Sequence, residues 1–150
     1  MFSKPVRVRS PLSNRTKDLR PPPLALIVEN HDDTRELYVL SLAFNGVRVI
    51  ESKTADDAFE KAHAQCPDII STALLLPGGT DGVQLCEQLK SDERTKRIPI
   101  IAVTTWTKGG QAERALRAGC DCVLAMPVLP EELLHEIQRV LRLAPSAGNG

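Results

Sequence analysis

Aromatic side chains make up only 3% of this 150-residue chain: one Trp, one Tyr and three Phe. None of them interleaves with the basic residues, so there is no stacking platform for single-stranded nucleic acid. No apolar run approaches the roughly 18–20 residues that span a bilayer, which argues against a membrane protein. The N-terminus carries Lys4 and Arg7 but no apolar core segment of a secretory signal. A GxGxxG fingerprint and a P-loop are both missing, so nucleotide binding has no support. The four cysteines, Cys66, Cys86, Cys120 and Cys122, show no CxxC spacing and no histidine at metal-ligand spacing. If Cys120 and Cys122 lie in a strand they share one face. The expectation is four reduced, mostly buried thiols in a cytoplasmic protein. His31, His63 and His135 are far apart, and none sits beside a carboxylate and a nucleophile. Without a base–nucleophile pair, the chain does not read as an enzyme.

Hydrophobic residues, at 42%, are sufficient for one domain with a core. Charge balances at 19 basic and 19 acidic residues, but unevenly. Residues 1–23 hold Lys4, Arg7, Arg9, Arg15, Lys17 and Arg20 against Asp18, a net +5, which leaves the rest at −5. That segment also contains five prolines and ends in Pro21-Pro22-Pro23. Its composition predicts a disordered, basic, Pro-rich tail. Such a tail can touch nucleic acid, an anionic surface or the acidic body itself.

From residue 24 onward, short apolar runs alternate with helical patterns. Strands are expected at Leu24–Val28, 47–50, 68–72, 98–103 and Cys122–Ala125. Between them, Asp32 or Asp33 is expected to cap a helix starting near Thr34, with Leu37, Leu40, Ser41 and Phe44 on one face and Asn45-Gly46 as its stop. Thr54 opens a second helix with Ala55, Ala58, Phe59 and Ala62 inward. Val83, Leu85, Cys86 and Leu89 face inward on a third. A fourth runs over 111–118 and ends at Gly119. The last, 131–143, buries Leu133, Leu134, Ile137, Val140 and Leu141. Residues 144–150 read as a second disordered tail, with no output domain after the last helix. Five strand–helix units predict an α/β protein: a doubly wound, flavodoxin-like (βα)5 sandwich with a five-stranded parallel sheet in a single domain, 24–143. Chemistry in such a fold sits at the carboxyl ends of the strands. Those ends are Glu29-Asn30, Ala73, Thr104-Thr105 and Met126.

The ordered segments Leu-Ile-Val-Glu-Asn-His-Asp-Asp-Thr-Arg-Glu-Leu, Pro-Asp-Ile-Ile, Leu-Pro-Gly-Gly-Thr-Asp-Gly, Ile-Pro-Ile-Ile-Ala-Val-Thr, Arg-Ala-Gly-Cys-Asp and Met-Pro-Val-Leu-Pro-Glu-Glu-Leu resemble a bacterial response-regulator receiver (CheY-like) domain. The resemblance implies a phosphorylation switch in two-component, phosphorelay signal transduction. Two acidic residues after the first strand and an aspartate ending the third would hold Mg²⁺, and that aspartate would accept a phosphoryl group from a histidine kinase. A hydroxyl after the fourth strand and a lysine after the fifth would engage it.

Carried over by position, the acidic pair becomes Glu29 and Asn30, the acceptor Ala73, the hydroxyl Thr104 and the lysine Met126. The switch aromatic becomes Val123. Pro127 is kept, with a cis peptide implied before it. No carboxylate lies between Asp68 and Asp81, so a small misalignment restores nothing. Loss of the acceptor together with the lysine is physically coherent. A lone buried ammonium would cost several kcal/mol, whereas two apolar groups can be neutral. The expectation is a degenerate receiver, a pseudo-receiver acting as a phosphorylation-independent protein–protein interaction module. Mg²⁺ binding is expected to be lost or weak, with Glu29 the one weak metal candidate. Asp32, Asp33 and Asp81 read as capping or turn residues, and Ser71 and Thr72 as strand filling. The partner would be a signalling protein or histidine kinase on the fourth helix, fifth strand and fifth helix, or a second copy, with Trp106 a candidate anchor. Two alternatives stand beside this: a phosphorelay receiver with a non-standard acceptor or metal site, and a nucleic-acid-associated regulator using the basic tail.

Overall fold

The computed structural model describes residues 21–105 and 110–143. The expectations for residues 1–20, for Trp106 and for the last seven residues therefore lie outside the described residues. Ten elements alternate along the chain: β1 (Leu24–Val28), α1 (Asp32–Phe44), β2 (Arg48–Ser52), α2 (Ala55–Gln65), β3 (Ile69–Ala73), α3 (Gly82–Ser91), β4 (Ile100–Thr104), α4 (Gln111–Arg117), β5 (Cys122–Ala125) and α5 (Pro130–Leu143). All four strand pairings are parallel, in the order β2-β1-β3-β4-β5. The doubly wound sandwich expected from the alternation is the fold observed.

Burial on both faces explains why the central strands read as continuous apolar runs. On one face, Ala25, Ile27, Ile69, Ile101 and Val103 pack against α1 and α5. On the other, Leu26, Val28, Ile70, Ile100 and Ala102 pack against α2, α3 and α4. The small Ala55, Ala58 and Ala62 stripe lets α2 lie close to the sheet, and Thr54 caps it by accepting from the Asp57 N–H. Asp81 and Gln84 close a reciprocal capping box at the start of α3.

The first helix departs from its expected orientation. Tyr38 and Leu42 are its buried residues, while Leu37, Leu40 and Phe44 are 57%, 59% and 89% exposed. Two overlapping apolar stripes exist on this helix. The one that wins carries Tyr38, whose hydroxyl donates to the Val128 carbonyl oxygen at 2.8 Å. The helix also starts at Asp32, with His31 as its N-cap and no side-chain cap bond, so Asp32 and Asp33 lie in its first turn. There their charge favours the positive end of the helix dipole. The second, third and fourth strands begin one or two residues later than expected.

The cysteines differ from expectation in two respects. Cys66 is exposed, and Cys122 is only half-buried. Cys120 precedes β5 and packs on the α2–α4 side, whereas Cys122 packs on the α1–α5 side. The pair therefore does not share a face.

Candidate functional site

Because the strands are parallel, their carboxyl ends gather at one edge of the sheet. Val28 pairs with both Ser52 and Thr72, which places Glu29 beside Ala73. Ala73 pairs with Val103, and Thr104 with Ala125. Glu29, Ala73, Thr104 and Met126 thus stand along one edge of the sheet, the edge at which a doubly wound fold opens its crevice, where the chain reverses winding direction between β1 and β3.

Glu29 is 9% exposed, and its Oε2 accepts the His31 N–H at 2.9 Å. Its backbone N–H donates to the Ser52 carbonyl at 3.0 Å. Asn30 is exposed. Ala73 is half-buried at the end of β3. The Thr72 hydroxyl donates to the Ala73 carbonyl oxygen at 2.9 Å, and Ser71 is buried in the strand body. Both hydroxyl residues are buried within β3.

Gly82 holds this end of β3 in place. A Cβ at Gly82 would overlap the Ala73 carbonyl oxygen and lie 2.7 Å from the Leu74 Cα. The Gly82 N–H donates to the Leu74 carbonyl at 2.8 Å. The first turn of α3 is therefore seated directly on the backbone that follows Ala73.

Thr104 is buried, with Oγ1 3.1 Å from both the Thr105 carbonyl oxygen and Gln111 Oε1. Met126 donates its N–H to the Thr104 carbonyl at 2.7 Å, and its side chain packs with the α1–α5 core. The Met126–Pro127 peptide is cis, as the resemblance implied. Val123 packs against the opposite, α2–α4 core.

Asp32 and Asp81, near this edge, are already engaged. Arg35 donates to the Glu29 carbonyl oxygen at 2.9 Å, to Asp32 Oδ1 at 2.7 Å and to Glu51 Oε1 at 3.0 Å. Lys53 lies 3.3 Å from the same Asp32 oxygen. The Arg35 guanidinium, and after it the Lys53 ammonium, hold the Asp32 carboxyl below its ordinary range. Asp81 is committed to its capping box, and Asp33 is exposed on the first turn of α1. Among the described residues, no group of three or more His, Cys, Asp or Glu side chains converges as a metal site.

Sequence reasoning did not find Arg35 or Gln111. Arg35 stands one turn after Asp32, a spacing that pairs side chains on a helix and could have flagged it. Gln111 meets Thr104 from seven residues further along the chain and leaves no sequence signal. The three histidines stay apart. His31 caps α1, His63 lies 3.6 Å from Asp92, and His135 lines a groove on α5.

A sheet of order 2-1-3-4-5, with polar groups gathered where β1 and β3 diverge, places the chain among the flavodoxin-like folds. Sequence comparison narrows the class. The family model described as the response regulator receiver domain matches residues 25–138, and the chain belongs to that family. It is 32% identical over 123 residues to the phosphate regulon transcriptional regulatory protein PhoB of Escherichia coli K12, covering 81% of this chain and 53% of PhoB. It thus spans about half the length of that relative. It is 28% identical over 116 residues to the polar-differentiation response regulator DivK of Brucella ovis, covering 77% of this chain and 94% of DivK. Among solved structures, it superposes on the receiver domain of the sensor histidine kinase PA1611 from Pseudomonas aeruginosa, solved with magnesium in its active-site cleft. That match has a TM-score of 0.74 and 29% identity, and it covers 81% of this chain and 98% of the other. The chain is a receiver domain of two-component signalling. Receiver domains serve as signalling modules that engage histidine kinases and other signalling proteins. No helix among the described residues is long and apolar enough to cross a membrane.

Proposed function

We propose that this receiver domain is a pseudo-receiver: a non-enzymatic interaction module that works without being phosphorylated. One observation carries the reading. The end of β3 presents Ala73, beside a largely buried Glu29, where the family's chemistry requires a carboxylate nucleophile. An alanine methyl can neither attack a phosphoryl group nor ligate a cation.

Mg²⁺ requires near-octahedral oxygen coordination and keeps its waters unless carboxylates replace them. The crevice offers one carboxylate, already bound to the His31 N–H. Asp32 is held by two cations. This donor set does not fit Mg²⁺, so binding is lost or weak. Met126 supports the same reading, since its thioether packs into the core where an ammonium would need a partner.

The proposed working surface is α4, β5 and α5, facing a signalling protein, a histidine kinase or a second copy. A groove of about 410 Å³ lies at the β5–α5 part of this surface, lined by Leu124, Val128, Glu131, Glu132 and Glu136 among others. Trp106, adjoining this surface in sequence, lies outside the described residues and is kept as a reporter.

The test is a Mg²⁺ titration of the full chain with and without beryllofluoride, read by tryptophan fluorescence. The PA1611 receiver serves as positive control for metal binding. No saturable response is expected. A saturable, Mg²⁺-dependent response would mean that Glu29 and a neighbour have rebuilt a phosphoryl site, and the proposal would fail.

A further inference from the structure

Away from the crevice, Cys86 and Cys120 face each other inside the protein. Cys86 lies on the buried face of α3. Cys120 lies in the turn between Gly119 and β5. They are 34 residues apart in sequence, both are buried, and their Sγ atoms are in direct contact at 2.6 Å. They share one core cluster with Leu85, Leu89, Ile100 and Ala115. The other two thiols have no such partner. Cys66 is exposed with its sulfur 3.2 Å from an Arg94 guanidinium nitrogen, and Cys122 packs on the opposite side of the sheet.

We propose that Cys86 and Cys120 form a two-electron redox site that closes to an intramolecular disulfide. Disulfide geometry demands side chains aimed at each other over a short backbone separation. Here the thiols already meet with nothing between them. A two-coordinate metal thiolate is a poorer occupant. Sulfurs on opposite sides of one ion stand roughly 4.6 Å apart, twice a metal–sulfur bond of about 2.3 Å.

Glutathione disulfide suffices as the oxidant. One cysteine thiolate attacks its S–S bond, forming a mixed disulfide and releasing one glutathione thiolate. The second cysteine thiolate attacks the mixed disulfide at the protein sulfur and releases the second glutathione. Each cysteine gives up one proton, the pair gives up two electrons, and one glutathione disulfide becomes two glutathiones. The hydrogen-bonded contact with Cys120, and then burial, push the Cys86 thiol up from its ordinary range. In the folded protein the Cys86 thiol is therefore held protonated and both sulfurs lie away from solvent, so exchange proceeds through opening or during folding.

The bond would close a loop containing β4 and α4, and would tie α3 to the turn from which β5 emerges. This inference does not depend on how the crevice works. It stands even if the crevice proves able to accept a phosphoryl group.

The test is to refold the full chain from urea in glutathione buffers graded from reducing to oxidising. Acid quenching, N-ethylmaleimide blocking and peptide mass spectrometry then report the state of each cysteine. The expected result is one linked pair, 86 to 120, with Cys66 and Cys122 alkylated. The oxidised protein should melt roughly 10 °C higher, because a loop of this length is constrained in the unfolded chain. Dithiothreitol should abolish the shift, and Cys86→Ala and Cys120→Ala should each lack it. Three results would overturn the proposal: both cysteines alkylated in the most oxidising buffer, linkages scattered over all four cysteines, or a linked 86–120 pair that melts no higher than the reduced chain.

Discussion

Replacing Ala73 by aspartate returns a carboxylate to the end of β3 and tests whether the crevice is adapted to its own residues. The new side chain would stand beside Glu29, one strand spacing away at about 4.8 Å. Two unit charges at roughly 5 Å in an effective dielectric of about 20 repel by about 3 kcal/mol. Water at the half-exposed position 73 reduces this, so Ala73→Asp should lose about 1–2 kcal/mol of stability at pH 7. Met126→Lys alone takes an apolar side chain from the α1–α5 core and adds a charge there, which should cost about 2–3 kcal/mol. The double variant should be less destabilised than the sum, with a coupling of about 1–3 kcal/mol, because the ammonium and carboxylate then neutralise each other. Urea denaturation of the four proteins, followed by circular dichroism, measures the cycle. Millimolar Mg²⁺ should restore part of the loss in Ala73→Asp and do nothing for the natural chain. A single Ala73→Asp that is neutral or stabilising, with no coupling to position 126, would refute the argument that these positions changed as a set.

Other perturbations test other parts of the fold. Leu42→Ala should cost about 2–5 kcal/mol, while Phe44→Ala on the exposed stripe should stay within about 0.5 kcal/mol; equal effects in urea melts would contradict the orientation of α1. Tyr38→Phe leaves the buried Val128 carbonyl unpaired and should cost about 1–2 kcal/mol. Burial and then the Glu29 charge push the Tyr38 phenol up, so its contribution holds below the ordinary tyrosine value of 10.0 and fades as pH rises through the shifted one. Stability of the natural chain should therefore fall in strong alkali more steeply than that of Tyr38→Phe. At the acid end, the Ser52 hydroxyl and then Lys61 hold the Asp57 carboxyl below 3.8, so its contribution is present above that value and lost as pH drops through the lowered one. Ser52→Ala should flatten this acid loss in melting temperature against pH, and an unchanged acid limb would remove Ser52 as the cause.

Much of the fold was legible because each signal had one interpretation. Thr54, followed by alanines at helical spacing, could only open a helix packed close to a sheet. Cys122–Ala125 between Gly119 and Pro127 left room for a single short strand. The common placement of Glu29, Ala73, Thr104 and Met126 was legible through topology, since parallel strands bring their carboxyl ends to one edge whatever the chemistry there. What escaped was set by distant contacts. On α1 the stripes through Leu37 and through Leu42 compete, and the Tyr38 bond to Val128, 90 residues away, favours the second. Gln111 against Thr104 left no pattern to read, and the faces of Cys120 and Cys122 depend on where β5 begins.

The seating of Gly82 on the Ala73 backbone has a consequence for engineering. The direction of any side chain at position 73 is set by the main chain, and that main chain is clamped by a helix turn with no room for even one added carbon. Chemistry can therefore be exchanged at position 73 without rebuilding its support. At position 82 a change as small as one methyl would shift the platform under every possible occupant. Gly82→Ala should accordingly cost about 2 kcal/mol or more in urea melts, and in a variant carrying a restored acceptor it should also misdirect that acceptor. A designer who wished to reinstall a reactive group would have the mount already in place and only the tool to supply.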